Sequence, residues 1–276
     1  LRAREPGRDL PVRDRENPPG IAGFSCPSED GVLFGSVYYA EGAANPTILL
    51  CHGFPGLDKN CDLAHELRRA GFNVVVFSYR GAWGSRGAFT FAGTVRDVAN
   101  MTRHILRRKL PLPERFDGAT VVPIGFSMGA FSALRAAAAL PELRDVGLIG
   151  VWNIGLDVEK SRADAALKER LDRLLAGAGC LEGTTRAALW NELLWRPEEF
   201  DLRHDALSCG GKRILLLGAA EDEAVPVETH QRPLADLLRR AGAEVCERIV
   251  PGDHAFSAQR WEMTRGVLGW LEGLGY

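Results

Sequence analysis

One pentapeptide constrains this chain more than any other feature: Gly125-Phe126-Ser127-Met128-Gly129, with a β-branched run before it and a helix-forming run behind it. Ala119-Thr120-Val121-Val122-Pro123-Ile124 is long enough for one buried strand. Residues 128–140 are dominated by Ala, carry no Gly beyond Gly129 and stop at Pro141, which reads as a helix with a clear end. A serine at such a strand-to-helix junction is forced into a strained backbone conformation that lifts its hydroxyl above the sheet edge. Gly125 and Gly129 suit a turn where strand and helix pass too close for side chains. Pro123 is discordant, because it cannot donate to a ladder and is unusual in a central strand.

A serine hydroxyl is a poor nucleophile near neutral pH and needs an adjacent base, which in turn needs an orienting acid. The chain has six histidines. Only His254 lies in a loop between a late strand (residues 244–250) and a terminal helix (257–271), in Pro251-Gly252-Asp253-His254-Ala255-Phe256. Alone it reads as a loop histidine; beside the serine turn it becomes the candidate base. The acid is expected after a strand between serine and histidine. Arg213-Ile214-Leu215-Leu216-Leu217-Gly218 is such a strand, and Glu221, Asp222 and Glu223 follow it. Spacing alone does not choose among these three. The strand at 146–151 ends in Trp152-Asn153 without a carboxylate, which favours the later turn.

Four blocks together resemble the α/β-hydrolase superfamily, in its serine esterase and peptidase-like branch, from about Val32 to Trp270. They are His52-Gly53-Phe54-Pro55-Gly56, the serine pentapeptide, Asp222-Glu223-Ala224-Val225-Pro226 and Gly252-Asp253-His254-Ala255-Phe256. Each is weak alone, and the order Ser, Asp, His is what makes them specific. The resemblance implies Ser127 as nucleophile, His254 as base and Asp222 as acid, the Asp-x-x-Val-Pro form singling out Asp222.

Acyl transfer builds negative charge on a carbonyl oxygen, which preorganised N–H groups stabilise; removing one such donor typically costs ~10²–10³ in rate. Met128, directly after the nucleophile at the positive end of its helix, is one expected donor. The other should come from the loop after Ile48-Leu49-Leu50-Cys51. Pro55 has no N–H, and the family pattern implies Phe54. His52 is read as a structural residue holding that loop. The block Tyr79-Arg80-Gly81-Ala82-Trp83-Gly84-Ser85-Arg86-Gly87 resembles loops of capless peptidase-like, esterase-like and acyl-processing relatives. A shaped loop near the site and a tight turn with Arg80 in a structural ion pair both stay open.

Repeated βα order with short buried strands implies an α/β class, a mostly parallel sheet covered on both faces, with an antiparallel edge from the first strands. Between Trp152 and Lys212 the alternation breaks for about sixty residues, more than a plain connection needs. Residues 157–176 read as one amphipathic helix and 185–194 as a second carrying Trp190. The expected organisation is a solvated arm at 1–20, a core at 21–155 and 206–276, and a helical cap at 156–205. Trp152 and Trp190 are expected in the substrate pocket beside Phe54 and Met128.

A chain of 276 residues with 46% hydrophobic content can bury a core of this kind. A net charge of −2 argues against nucleic acid or anionic membrane as an obligatory partner. The first sixteen residues mix Arg with Asp and Glu and hold no apolar stretch, so neither a secretory signal nor a membrane span is expected there. The chain begins with Leu, which leaves an upstream segment open. Six scattered cysteines lack metal-ligand spacing and fit a reduced, cytoplasmic protein. No nucleotide motif occurs, so neither cofactor nor metal is expected. The reading is a cofactor-independent serine hydrolase acting on a small-molecule acyl substrate, an ester first, a thioester or amide otherwise. A serine peptidase is the alternative within the class, and a non-catalytic ligand-binding protein the alternative outside it. Oligomeric state and substrate identity are not legible.

Overall fold

A computed structural model describes residues 11–276; the first half of the expected N-terminal arm, residues 1–10, lies outside them. One eight-stranded sheet runs through the molecule in the order β1-β2-β4-β3-β5-β6-β7-β8. Its strands are β1 (Gly20–Ser28), β2 (Gly31–Tyr39), β3 (Asn45–Cys51), β4 (Asn73–Phe77), β5 (Phe116–Phe126), β6 (Asp145–Ile149), β7 (Arg213–Ala219) and β8 (Glu244–Val250). β1 and β2 are antiparallel and β2 joins β4 antiparallel; every other pairing is parallel.

The central strands alternate between two apolar layers, as a period of two requires when both faces are covered. Ile48, Leu50, Val74, Val76, Leu215 and Leu217 face α1 (Cys61–Arg69) and α9 (Arg260–Gly273), meeting Leu63, Leu67, Met263 and Val267. Leu49, Val75, Ile214 and Leu216 face the other way, toward α2 (Phe91–Leu106), α3 (Met128–Ala139) and α8 (Val227–Arg240). Pro123 is accommodated because β5 pairs with β3 at Leu49 there, while its ladder with β6 begins only at Ile124. All six cysteines are free.

β1 was not foreseen. Gly20, Gly23 and Pro27 dilute its strand signal, yet Phe24, Cys26 and Ser28 are buried in alternation. As an edge strand that, among the described residues, pairs with β2 alone, it tolerates Pro27. The arm ahead of it is partly docked: Arg115 donates from Nη2 to the Pro18 carbonyl at 3.1 Å, and the Arg13 and Asp14 N–H groups donate to Glu41.

Four helices fill the stretch between β6 and β7: α4 (Ile154–Ser161), α5 (Ala165–Leu175), α6 (Arg186–Trp195) and α7 (Leu202–Ala206). The single helix expected over 157–176 is two. Asp164 breaks it, its side chain accepting the Leu167 N–H at 3.0 Å as an N-cap for α5. Thr185 caps α6 in the same way through the Ala188 N–H at 3.1 Å.

Candidate active site

Ser127 sits between β5 and α3 with φ 55° and ψ −118°, a region non-glycine residues rarely occupy. The flanking glycines make this possible. A Cβ on Gly125 would lie 2.1 Å from the Gly129 carbonyl oxygen, and one on Gly129 would lie 1.9 Å from that of Cys51. The turn is tied to the next strand by the Ser127 N–H, which donates to the Ile149 carbonyl at 2.9 Å.

His254, in the loop between β8 and α9, meets one carboxylate of the three that compete after β7. Its Nδ1 is 2.6 Å from Asp222 Oδ2. The other oxygen of Asp222 accepts the Val225 N–H at 2.7 Å, which locks the carboxylate and gives the spacing to Val225 a physical reason. Glu221 turns away to the Gly252 N–H, and Glu223 offers its backbone carbonyl to Arg170. Phe126 packs against the His254 ring with centroids 4.9 Å apart. Ser127 and His254 line one cavity of about 160 Å³, and no direct hydrogen bond joins them.

Phe54 and Trp152 line that cavity too. Phe54 lies among Phe89 and Phe91, with centroids 5.8 and 5.5 Å away, and Trp152 is buried with its indole N–H on Asp157 Oδ2 at 2.8 Å. Met128 is fully buried and, contrary to the expectation for its side chain, is not among the residues that line the cavity. As the first residue of α3 its N–H has no acceptor within the helix.

Trp190 is elsewhere. It is absent from the cavity lining, and its indole N–H donates to Asp172 Oδ1 at 2.9 Å, so α6 leans on α5 rather than on Ser127. The residues that α5 gives to the cavity are Arg170, Leu171 and Leu174. These, with Asp157 and Val225, were missed by sequence reasoning; the Leu spacing on 157–176 was visible, but not which side would face the serine.

His52 is buried, its Nδ1 is 2.8 Å from the Gly53 carbonyl, and its ring packs on Tyr79 with centroids 4.5 Å apart. Burial holds its pKa down to about 4. This is the loop-holding arrangement the sequence suggested. Arg80 is buried in an ion-pair cluster, its Nε 2.8 Å from Asp97 and its Nη1 2.6 Å from Glu29 and 2.9 Å from Asp30. Trp83 links this loop to the other, donating to the Pro55 carbonyl at 2.7 Å.

A family model described as the alpha/beta hydrolase fold matches residues 46–186, about half of the chain. The chain belongs to the α/β-hydrolase family. No curated protein matches it. Among solved structures, an acylaminoacyl peptidase of Pyrococcus horikoshii is 18% identical with a TM-score of 0.70, over 92% of this chain and 41% of that one. An esterase of Pyrococcus furiosus is 17% identical with a TM-score of 0.67, over 97% and 98%. The α/β hydrolase GrgF from a Penicillium species is 13% identical with a TM-score of 0.69, over 93% and 100%. At such identities the α/β-hydrolase fold is what these likenesses share. Among the described residues no helix is long and apolar enough to cross a membrane.

Proposed function

We propose that this α/β-hydrolase is a serine hydrolase that cleaves a carboxylic ester of a small acyl substrate through a covalent acyl-enzyme. The observation that carries this is the strained Ser127 opening into the same cavity as a histidine whose Nδ1 is held by Asp222. A proton fixed on Nδ1 by the carboxylate leaves Nε2 as the acceptor for the serine proton. Ser127 Oγ attacks the acyl carbon as His254 takes its proton; the tetrahedral oxyanion is met by the N–H groups of Met128 and Phe54. Collapse expels the alcohol, which leaves with the proton from His254. Water, deprotonated by the same imidazole, then releases the acid. The missing Ser127–His254 hydrogen bond is compatible with this, since such contacts commonly tighten only when substrate is bound.

We read the segment at 156–205 as a cap, with α5 as its working part. Leu171 and Leu174 close over a small, largely apolar cavity, which suits a compact acyl group better than an extended peptide. Replacing Ser127 by Ala should lower turnover of a p-nitrophenyl ester by ~10³ or more, the residue of activity coming from the oxyanion donors and binding. It should also abolish labelling by a fluorophosphonate. A variant that still labels stoichiometrically overturns the assignment of the nucleophile, and an unmodified chain that neither labels nor turns over an ester points to the ligand-binding alternative.

A further inference from the structure

Two charged side chains share the cavity with Ser127, and the reaction steps above use neither. Arg170 is half-buried and already donates from Nη1 to the Glu223 carbonyl at 2.6 Å. Asp157, in the first turn of α4, is only 2% exposed. Its two oxygens face two rings, only one of which makes a hydrogen bond to it. Trp152 Nε1 donates to Oδ2 at 2.8 Å, and His230 Nε2, at the start of α8, is 3.3 Å from Oδ1. The Asn153 N–H donates to His230 Nδ1 at 3.3 Å, so Nδ1 is an acceptor and the ring's single proton belongs on Nε2. Trp152 therefore gives Asp157 a hydrogen bond, while His230 Nε2 lies beside Oδ1 without making one.

Among the described residues no Lys or Arg is ion-paired with it. A buried carboxylate without a counter-charge is destabilising by several kcal/mol, and each of its oxygens still has acceptor capacity. The open space it borders is the cavity that holds the nucleophile.

We propose that Asp157 is a specificity residue for a cationic group, so that the acyl compound cleaved at Ser127 carries a primary ammonium on the part lodged in the cavity. Trp152 is a positioning residue, fixing the carboxylate so that little ordering remains when the ammonium arrives. The proposal rests on the serine-hydrolase reading for the identity of the scissile bond, not for the binding of the cation.

The test uses the full chain and three p-nitrophenyl esters of one length: hexanoate, its ω-amino analogue and the adipate monoester. The ω-amino ester should exceed hexanoate in kcat/KM by ~10-fold or more, as expected where a site is built to bond a polar substituent, and Asp157→Asn should bring that ratio close to one. A preference for hexanoate, or a ratio unchanged in the variant, overturns the proposal; a preference for the adipate ester assigns recognition to Arg170 instead. If Asp157→Asn does not fold, inhibition of the unmodified enzyme decides: hexylamine should compete at ~10-fold lower concentration than hexanol, and equal potency overturns it. If no ester turns over and Ser127 resists a fluorophosphonate, the hydrolase reading has failed. Calorimetric binding of hexylamine, expected with the unmodified chain and overturning the proposal by its absence, then decides on Asp157 by itself.

Discussion

Ser127 holds a backbone conformation that costs of order 1–3 kcal/mol, and it persists because the neighbouring glycines let β5 and α3 come close enough to fix it. That requirement is local, which is why the strained serine turn was readable from five residues. His254 stood out as a candidate from a loop lying in the right place along the chain, and the fold brings it to the same cavity as Ser127. Glu221, Asp222 and Glu223 are chemically near-equivalent as a string, and only the folded turn shows which one reaches His254 Nδ1 at 2.6 Å. Asp222→Asn keeps the size of the side chain but removes the charge that holds the imidazole tautomer. We expect kcat to fall by ~10⁴ with little change in thermal stability, measured on a p-nitrophenyl ester and by a melting curve. Asp157 and His230 were invisible in the sequence, since they belong to different helices and acquire meaning only on meeting each other and the cavity.

At the scale of elements, the close crossing of α3 over β3 is the contact on which the serine turn depends. Gly129→Ala would set a methyl 1.9 Å from the Cys51 carbonyl oxygen, against backbone that cannot step aside cheaply. We expect a loss of about 3 kcal/mol or more, read from denaturant midpoints, together with a loss of activity larger than the fraction unfolded explains. Strands β2 to β8 and helices α1, α2, α3, α8 and α9 were legible because apolar periodicity and end signals agreed there. The helix break at Asp164 was not, because an aspartate in a helical run is equally an exposed residue or a cap until its carboxylate is seen on the Leu167 N–H. Trp190 was misplaced for a related reason: periodicity finds an apolar face, but not whether it meets the substrate or another helix.

For the whole molecule, two apolar layers on one sheet bury His52 as a neutral ring, with Nδ1 on the Gly53 carbonyl and no hydrogen-bond partner for Nε2 among the described residues. Its pKa falls from 6.5 to about 4 on folding because burial penalises the charged form. Between those values the unfolded chain binds the proton and the folded one does not, so this stabilisation is full above pH ~6.5 and is lost as pH falls toward 4, up to about 3 kcal/mol. Asp97, Glu192 and Asp205 are shifted upward by burial and act with the opposite sign. The comparison that isolates His52 is therefore His52→Gln against the parent chain, in chemical denaturation across that pH window. The variant's stability should depend less steeply on pH by the amount above, and parallel curves would contradict a buried neutral His52. By itself the sequence determined the α/β layering, a mostly parallel sheet with an antiparallel edge, and the serine turn, because each follows from periodicity or backbone sterics within a few residues; the strand order it left to the tertiary structure. The tertiary structure alone decided which carboxylate meets His254, which residues of α5 line the cavity and what Asp157 contacts. Those are contacts between segments far apart in the chain, and nothing in local propensity encodes where two packed elements will bring their side chains together.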